Sequence, residues 1–280
     1  MKRVLVALLV VLVAVVAGSA WADQPHPWQI GLQDAVTPVA EQLHWLHNIL
    51  LIVITIITLF VLALLIYVMV RFREKRNPVP SMTTHNTTLE VAWTVIPVII
   101  LVLMAIPSFR LLYLQDRTAN AEMTIKAIGR QWYWSYEYPD NGNFTFDAYL
   151  VKDKDLKAGQ PRLLETDNAV VLPVDTNIRV LLTASDVLHS WTVPAFGVKT
   201  DAVTGRLNET WVRITKPGTY YGQCSELCGV GHAYMPIKVI AVSKEDFKKW
   251  VDEAQKKFNK ADGSPPGGTA TQSAAAPAPR

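Results

Sequence analysis

The residues best able to bind a metal lie close together towards the C-terminal end of the chain. The only two cysteines of the sequence, Cys224 and Cys228, are separated by three residues, and His232 and Met235 follow within a few positions. His189 lies further upstream, in the segment DVLHSWTVP. Thiolate, imidazole and thioether groups suit copper, and a His/Cys set with a weakly bound Met is typical of electron-transfer copper. The pattern therefore predicts a copper site.

The second cysteine makes a single-copper site an incomplete explanation, because a mononuclear electron-transfer site uses one cysteine. Two thiolates in a C-x-x-x-C arrangement can each bridge the same two copper ions. Each copper then takes one imidazole, from His189 or His232, and the weak positions go to the Met235 thioether and the backbone carbonyl of Glu226. The alternatives are a plain disulfide and a Cys2His2 zinc site. A disulfide has no use for the histidines, and zinc has no use for the methionine.

Four segments resemble the cytochrome c oxidase subunit II family. They are His189-Ser-Trp, CSELCGVGHAYMP over Cys224 to Pro236, QWYWSYEYP over Gln131 to Pro139, and KTDAVTGRLNET over Lys199 to Thr210. The likeness extends from about Trp45 to Trp250. It implies a dinuclear copper centre, CuA, in a cupredoxin-like Greek-key barrel. It also implies electron transfer from cytochrome c to the haem and copper centres of subunit I, where oxygen is reduced and protons are translocated; subunit III is a further expected partner.

The resemblance also assigns roles outside the copper ligands. Trp132 is implied as the residue that receives electrons from docked cytochrome c, and Glu90 as the entrance of a proton channel. The Glu226 side chain is implied as a ligand to Mg or Mn at the boundary with subunit I, where Asp201 and Arg206 also lie. Since complementary charge orients a basic partner, acidic residues are expected around Trp132. The candidates for docking cytochrome c are Glu137, Asp167 and Asp186.

Apolar runs near the N-terminus predict how this site is attached to a membrane. A basic start, a short apolar core and an Ala-x-Ala site predict a signal peptide over residues 1–22, with an uncleaved first span as the alternative. Residues 23–47 are expected to form an N-terminal periplasmic segment. A transmembrane hairpin is predicted over 48–113, with spans at about 49–70 and 91–112, since about 20 apolar helical residues cross a bilayer.

The connector between the spans, RFREKRNP, is rich in Arg and Lys. Basic residues in short loops favour the cytoplasmic side. Both termini and the copper domain are therefore expected in the periplasm of a bacterium, attached to the plasma membrane. The net charge of +3 gives no case for nucleic-acid binding.

Residues 114–242 predict an all-β domain. Short segments rich in β-branched and aromatic residues alternate with Pro, Gly, Asn and Asp, which is typical of a sandwich or barrel. Ser243 with Asp246 approximates a capping box and predicts a helix over 243–258. The Pro/Ala/Gly/Ser-rich tail, 259–280, is expected to be disordered.

Three other functions are considered. A quinol oxidase subunit II has the same hairpin and barrel but lacks the copper ligands, and nitrous oxide reductase is a soluble enzyme without this hairpin. A membrane-anchored copper-binding assembly protein, which delivers metal rather than electrons, is the alternative from a different class.

Overall fold

Two long helices and an all-β domain make up the described part of the chain, which in the computed structural model is residues 22–116 and 120–258. The predicted signal peptide, except for Ala22, and the predicted disordered tail lie outside these residues. Helix α1 runs from Pro38–Arg71 and helix α2 from Thr87–Gln115. Both are long and apolar enough to cross a membrane.

The helices begin at capping residues. The Thr37 side chain accepts a hydrogen bond from the Ala40 amide, and the Asn86 side chain accepts one from the Leu89 amide. Such caps satisfy amides that have no partner inside the helix. Almost all the apolar side chains of both helices are exposed in the isolated chain. An apolar surface of this size must be covered by lipid or by other subunits.

The β-domain is built from short strands in two sheets. Within the described residues the strands are β1 Ala22–Asp23, β2 Met123–Arg130, β3 Tyr133–Tyr138, β4 Phe144–Ala148, β5 Val170–Pro173, β6 Ile178–Ala184, β7 His189–Val193, β8 Val198–Ala202, β9 Asn208–Val212, β10 Gly218–Cys224 and β11 Pro236–Val242. One sheet has the order β5-β11-β10-β7-β8, with β1 beside β10, and the other has the order β4-β3-β2-β6-β9.

The core lies between the two sheets. In β6 the buried and half-buried residues alternate along the strand, as expected when one face packs inwards. Trp134, Tyr136 and Trp191 are among the largest fully buried side chains. Strands that are neighbours in a sheet are often distant in the sequence: β10 pairs with β7, and β2 pairs with β6. The predicted fold class, a two-helix transmembrane hairpin followed by an all-β cupredoxin-like Greek-key barrel, is confirmed.

Side-chain hydrogen bonds fix the β-domain to the ends of the hairpin. The Thr37 hydroxyl donates to the carbonyl of Phe196 at 2.7 Å, and the Trp211 indole donates to the carbonyl of Leu114 at 2.9 Å. The domain is therefore joined to both helices by contacts as well as by the chain itself.

Helix α3, Lys244–Phe258, packs against the end of the domain away from the cysteines. The helix begins directly after Ser243, whose hydroxyl accepts a hydrogen bond from the Asp246 amide at 3.1 Å. Trp250 and Phe258 contact the aromatic rings of Phe144 and Phe146.

Candidate metal centre

His189 is the rigidly held part of the site. It is the first residue of β7 and is fully buried. Its ring lies so close to β2 that a Cβ added at Gly129 would be 2.6 Å from it. Only a glycine leaves room for the imidazole at this point, so the two sheets together fix the position of the ring.

Asp186 orients the His189 ring. One carboxylate oxygen lies 2.9 Å from Nε2, which donates to it. The proton of a neutral imidazole is then held on Nε2, and Nδ1 can offer its lone pair to a metal. Nδ1 faces the Cys224 sulfur at 3.8 Å. Burial raises the pKa of Asp186, but hydrogen bonds from His189 and from the amides of Gln131 and Val187 outweigh that effect, so the pKa is lowered.

The two cysteines come from the end of β10 and the loop that follows it. Cys224 is the last residue of the strand, and Cys228 lies in the loop before β11. Both are free and buried, and their sulfur atoms are 3.9 Å apart. The donor atoms of His189, Cys224 and Cys228 all lie within 4.8 Å of one another.

The remaining predicted ligands surround the same two sulfurs. The Cys228 sulfur lies 3.6 Å from His232 Nδ1 and 3.5 Å from the Met235 sulfur. The Glu226 carbonyl oxygen lies 3.4 Å from the Cys224 sulfur. The fold therefore brings together two thiols, two imidazole Nδ1 atoms, one thioether and one carbonyl. This donor set fits copper, because soft sulfur and imidazole ligands are the ones copper prefers.

The two thiols differ in acidity although they are neighbours. Burial raises the pKa of Cys224, but interactions of its sulfur with the His189 ring and with nearby polar groups outweigh that effect and lower it. Burial and the charge on Cys224 both raise the pKa of Cys228. Cys224 is therefore the more acidic thiol of the pair. Binding of a metal to both sulfurs must release the protons that the two thiols still carry, since thiolates are the ligand form.

Trp132 lies against the cysteine loop, the segment of residues 225–235 between β10 and β11. Its indole Nε1 donates to the Cys228 carbonyl at 3.1 Å. A Cβ added at Gly231 would be 2.3 Å from the indole, so this glycine allows the ring to lie flat on the loop. The ring is half-buried. The tryptophan that the sequence singled out thus contacts the residue that carries one of the two thiols.

The predicted docking acids have partners of different kinds. The Glu137 carboxylate is paired with Lys126 at 3.1 Å, and the Asp167 carboxylate accepts from the Tyr149 and Asn168 amides. Asp186 binds His189. Of the three, Asp186 lies next to the metal site, and the docking role of all three stays a prediction.

The other predicted residues lie apart from the cysteines. Glu90 is in the first turn of α2, at the end of the hairpin away from the β-domain. Asp201 is on β8 opposite Ser190, and Arg206 lies in the turn that follows that strand. Within residues 22–116 and 120–258, neither Asp201 nor Arg206 forms an ion pair. Sequence reasoning missed Gln131, Gly129 and Gly231, although the position of Gln131 and Gly129 beside the Trp132 motif was a usable signal.

Two family models match the chain. The one described as the transmembrane domain of cytochrome C oxidase subunit II covers residues 25–111, and the one described as its periplasmic domain covers residues 123–242. The chain belongs to the cytochrome c oxidase subunit II family. The family predicted from the sequence is thereby confirmed, and the chain is a subunit of an oxidoreductase complex.

Named relatives agree with this assignment. The chain is 52% identical over 233 residues to the probable cytochrome c oxidase subunit 2 of Rickettsia prowazekii. The matched residues make up 83% of this chain and 74% of the relative. It is 50% identical over 238 residues to the cytochrome c oxidase subunit 2 of Oenothera berteroana, and the match covers 83% of this chain and 92% of the relative. The solved periplasmic domain of subunit II (CoxB) of Bradyrhizobium japonicum is 54% identical, covers 51% of this chain and 99% of that chain, and has a TM-score of 0.48.

Proposed function

We propose that this subunit accepts electrons from cytochrome c at a dinuclear copper centre and passes them to the haem and copper centres of subunit I, where oxygen is reduced to water with proton translocation. The observation that carries the proposal is the convergence of His189 and the cysteine loop on two sulfur atoms 3.9 Å apart. Two copper ions held by these residues would supply one-electron transfer at this site.

The chain's own residues prepare this site. The ligand side chains are Cys224, Cys228, His189, His232 and Met235, with the Glu226 carbonyl as the sixth donor. Four of these residues are at most 6% exposed, so bulk water is kept away from the donor atoms. His189 presents Nδ1 because Asp186 binds Nε2. A site whose donors are already in place changes little when the electron arrives.

Trp132 is proposed as the point at which electrons enter. Its indole is hydrogen-bonded to the Cys228 carbonyl and is partly exposed, so it offers a short route from the surface to a ligand residue. Glu137, Asp167 and Asp186 are proposed to orient the basic face of cytochrome c. Asp186 is the best placed, since its carboxylate is partly exposed beside the site.

Glu226 is proposed to hold a second kind of metal. Its half-buried carboxylate has no hydrogen-bond or ion-pair partner among the described residues. A Mg or Mn ion takes one or two protein carboxylates and keeps other positions for water or partner groups. The ion would be shared with subunit I at a boundary that also contains Asp201 and Arg206. Glu90 is proposed as the entrance of a proton channel into subunit I.

The membrane orientation follows from the connector between the helices. Arg71, Arg73, Lys75 and Arg76 lie at or just after the end of α1, and this basic charge favours the cytoplasmic side. The β-domain and both termini are then periplasmic in a bacterial plasma membrane. Subunit III and lipid are the further partners proposed to cover the apolar helix surfaces.

Electron paramagnetic resonance of the full-length chain, purified in detergent, loaded with copper and oxidised, tests the proposal. We expect two coppers per chain and the hyperfine pattern of one unpaired electron shared equally by two nuclei. A pattern from a single nucleus, or a chain that takes up no copper, would overturn it. Mn(II) binding to the assembled oxidase and to its Glu226→Gln variant, which keeps the backbone carbonyl, probes the Glu226 carboxylate separately.

A further inference from the structure

Gln131 is bonded to both halves of the metal site. It lies in the two-residue turn between β2 and β3. Its backbone amide donates to one oxygen of Asp186 at 2.7 Å, and the other oxygen of Asp186 accepts from His189. Its side-chain amide donates to the Cys228 carbonyl at 2.8 Å. One residue therefore connects the group that orients the histidine with the backbone that carries a cysteine.

The cysteine loop has few other connections to the domain. Its ends are held where Ser225 donates to Ser190 and Cys224 donates to Met235. Between these ends, in the part of the chain that the structure describes, the hydrogen bonds from residues 226–234 to the rest of the domain, apart from contacts of the sulfur atoms, are the two at the Cys228 carbonyl.

The outer face of the loop cannot replace these bonds. Leu227 is 77% exposed and Val230 is 89% exposed, so the apolar side chains of this outer face do not pack against the domain. The two donors at the Cys228 carbonyl also differ in kind. Trp132 approaches as a flat ring over Gly231, whereas Gln131 is linked onward to Asp186. Of the two donors, Gln131 is thus the one that links the Cys228 peptide to the carboxylate that orients His189.

We propose that Gln131 is a positioning residue of the metal centre. It holds the Cys228 peptide at a fixed distance from the Asp186 and His189 pair, so that the two thiols keep their separation before metal arrives. Gln131 touches neither a thiol nor an imidazole, and it acts through the Cys228 carbonyl and through Asp186. Of the two tests below, only the spectroscopic one rests on the proposed copper function.

Two substitutions isolate the side-chain bond. Gln131→Leu removes the donor at similar size, and Gln131→Glu places a carboxylate opposite the Cys228 carbonyl; both keep the backbone bond to Asp186. Gln255→Leu is the matched control, because the Gln255 side chain also donates to a backbone carbonyl, that of Asn141, at 2.6 Å. That bond joins α3 to the domain, on an element remote from the cysteine loop.

The first measurement is the rate at which a thiol reagent labels the two cysteines in the copper-free, full-length chain. Labelling of buried thiols follows the population of the open loop. We expect labelling about fivefold faster in Gln131→Leu, the ratio that corresponds to one lost hydrogen bond of about 1 kcal/mol. Gln131→Glu should be faster still, and Gln255→Leu should match the unaltered chain.

The second measurement is the resonance spectrum after copper loading. We expect both Gln131 variants to show altered copper hyperfine splitting, and the Gln255 variant to show none. Unchanged labelling rates together with unchanged spectra would overturn the proposal, as would a change in the Michaelis constant for cytochrome c in the assembled oxidase without either effect. If the unaltered chain fails to bind two coppers, the proposed function fails, while the labelling rates still decide the role of Gln131.

Discussion

The two halves of the metal site are held by different means. His189 begins a central strand, is fully buried, and is pressed against Gly129 of the opposite sheet. The cysteine loop is exposed along its outer face and reaches the domain through a few hydrogen bonds. The histidine half is positioned by the core, whereas in the other half the Cys228 and Met235 side chains are buried but the loop backbone depends on individual polar contacts. The same small substitution should therefore have different consequences in each half.

The largest effect is expected from loss of one of the two thiols. Cys228→Ser removes the sulfur that lies closest to His232 and Met235, and a hydroxyl is a poor ligand for copper. We expect the shared-electron spectrum to disappear and copper uptake to fall to one ion per chain or none. Copper analysis and resonance spectra of the full-length variant provide the check. Retention of a two-copper spectrum would show that the loop half is not essential.

Gly129→Ala should damage the rigid half. The new methyl group would lie 2.6 Å from the His189 ring, between two sheets that cannot separate locally. We expect a loss of about 1 to 3 kcal/mol in stability, typical of an overpacked core, together with weaker copper binding. Thermal unfolding of the copper-free chain measures the first effect.

Gly31→Ala is the control for this substitution, since a Cβ there meets nothing within 4 Å. Equal unfolding midpoints for the Gly129 and Gly31 variants would show that the structure around His189 adjusts to the added methyl group, and would contradict the view that this half is rigid.

Gly231→Ala should affect the loop half in another way. The added methyl would lie 2.3 Å from the Trp132 ring, but here the indole or the loop can move. We expect two coppers still to bind, while the indole loses its bond to the Cys228 carbonyl. Stopped-flow reduction by cytochrome c in the assembled oxidase should be slower than in the unaltered oxidase, because the indole no longer contacts the residue that carries a thiol. An unchanged rate would mean that the contact between Trp132 and the loop does not carry electrons.

The smallest effect is expected from Asp186→Asn. The carboxylate has a lowered pKa, so it contributes stability at neutral pH that is lost as the pH falls through the lowered value. We expect the variant to be about 1 kcal/mol less stable than the unaltered chain at pH 7, the scale of one hydrogen bond, and the difference to vanish in strong acid. Thermal unfolding of the copper-free chains across pH provides the measurement, and a difference that grows in acid would contradict the argument.

Much of the fold and site could be predicted because the signals are local. Two long apolar runs predict membrane helices from length alone, and the cysteine, histidine and methionine ligands share one short segment. His189 was identified because its residue type completes the ligand set. The roles of Gln131 and of the close glycines were not predictable in this way. Their partners are distant in the sequence: Gln131, for example, lies 97 residues from Cys228, to which its side chain is bonded.

The sequence by itself determined the ligand types, the membrane hairpin and the family, because each can be recognised from the composition or the residue spacing of a single segment. Tertiary structure alone decided which sheet presses on His189, how Asp186 selects the ring nitrogen, and what holds the cysteine loop. These depend on strand order, since β2 and β7 belong to different sheets and meet only when the sandwich closes. A hydrogen bond between distant strands leaves no periodic pattern in either one.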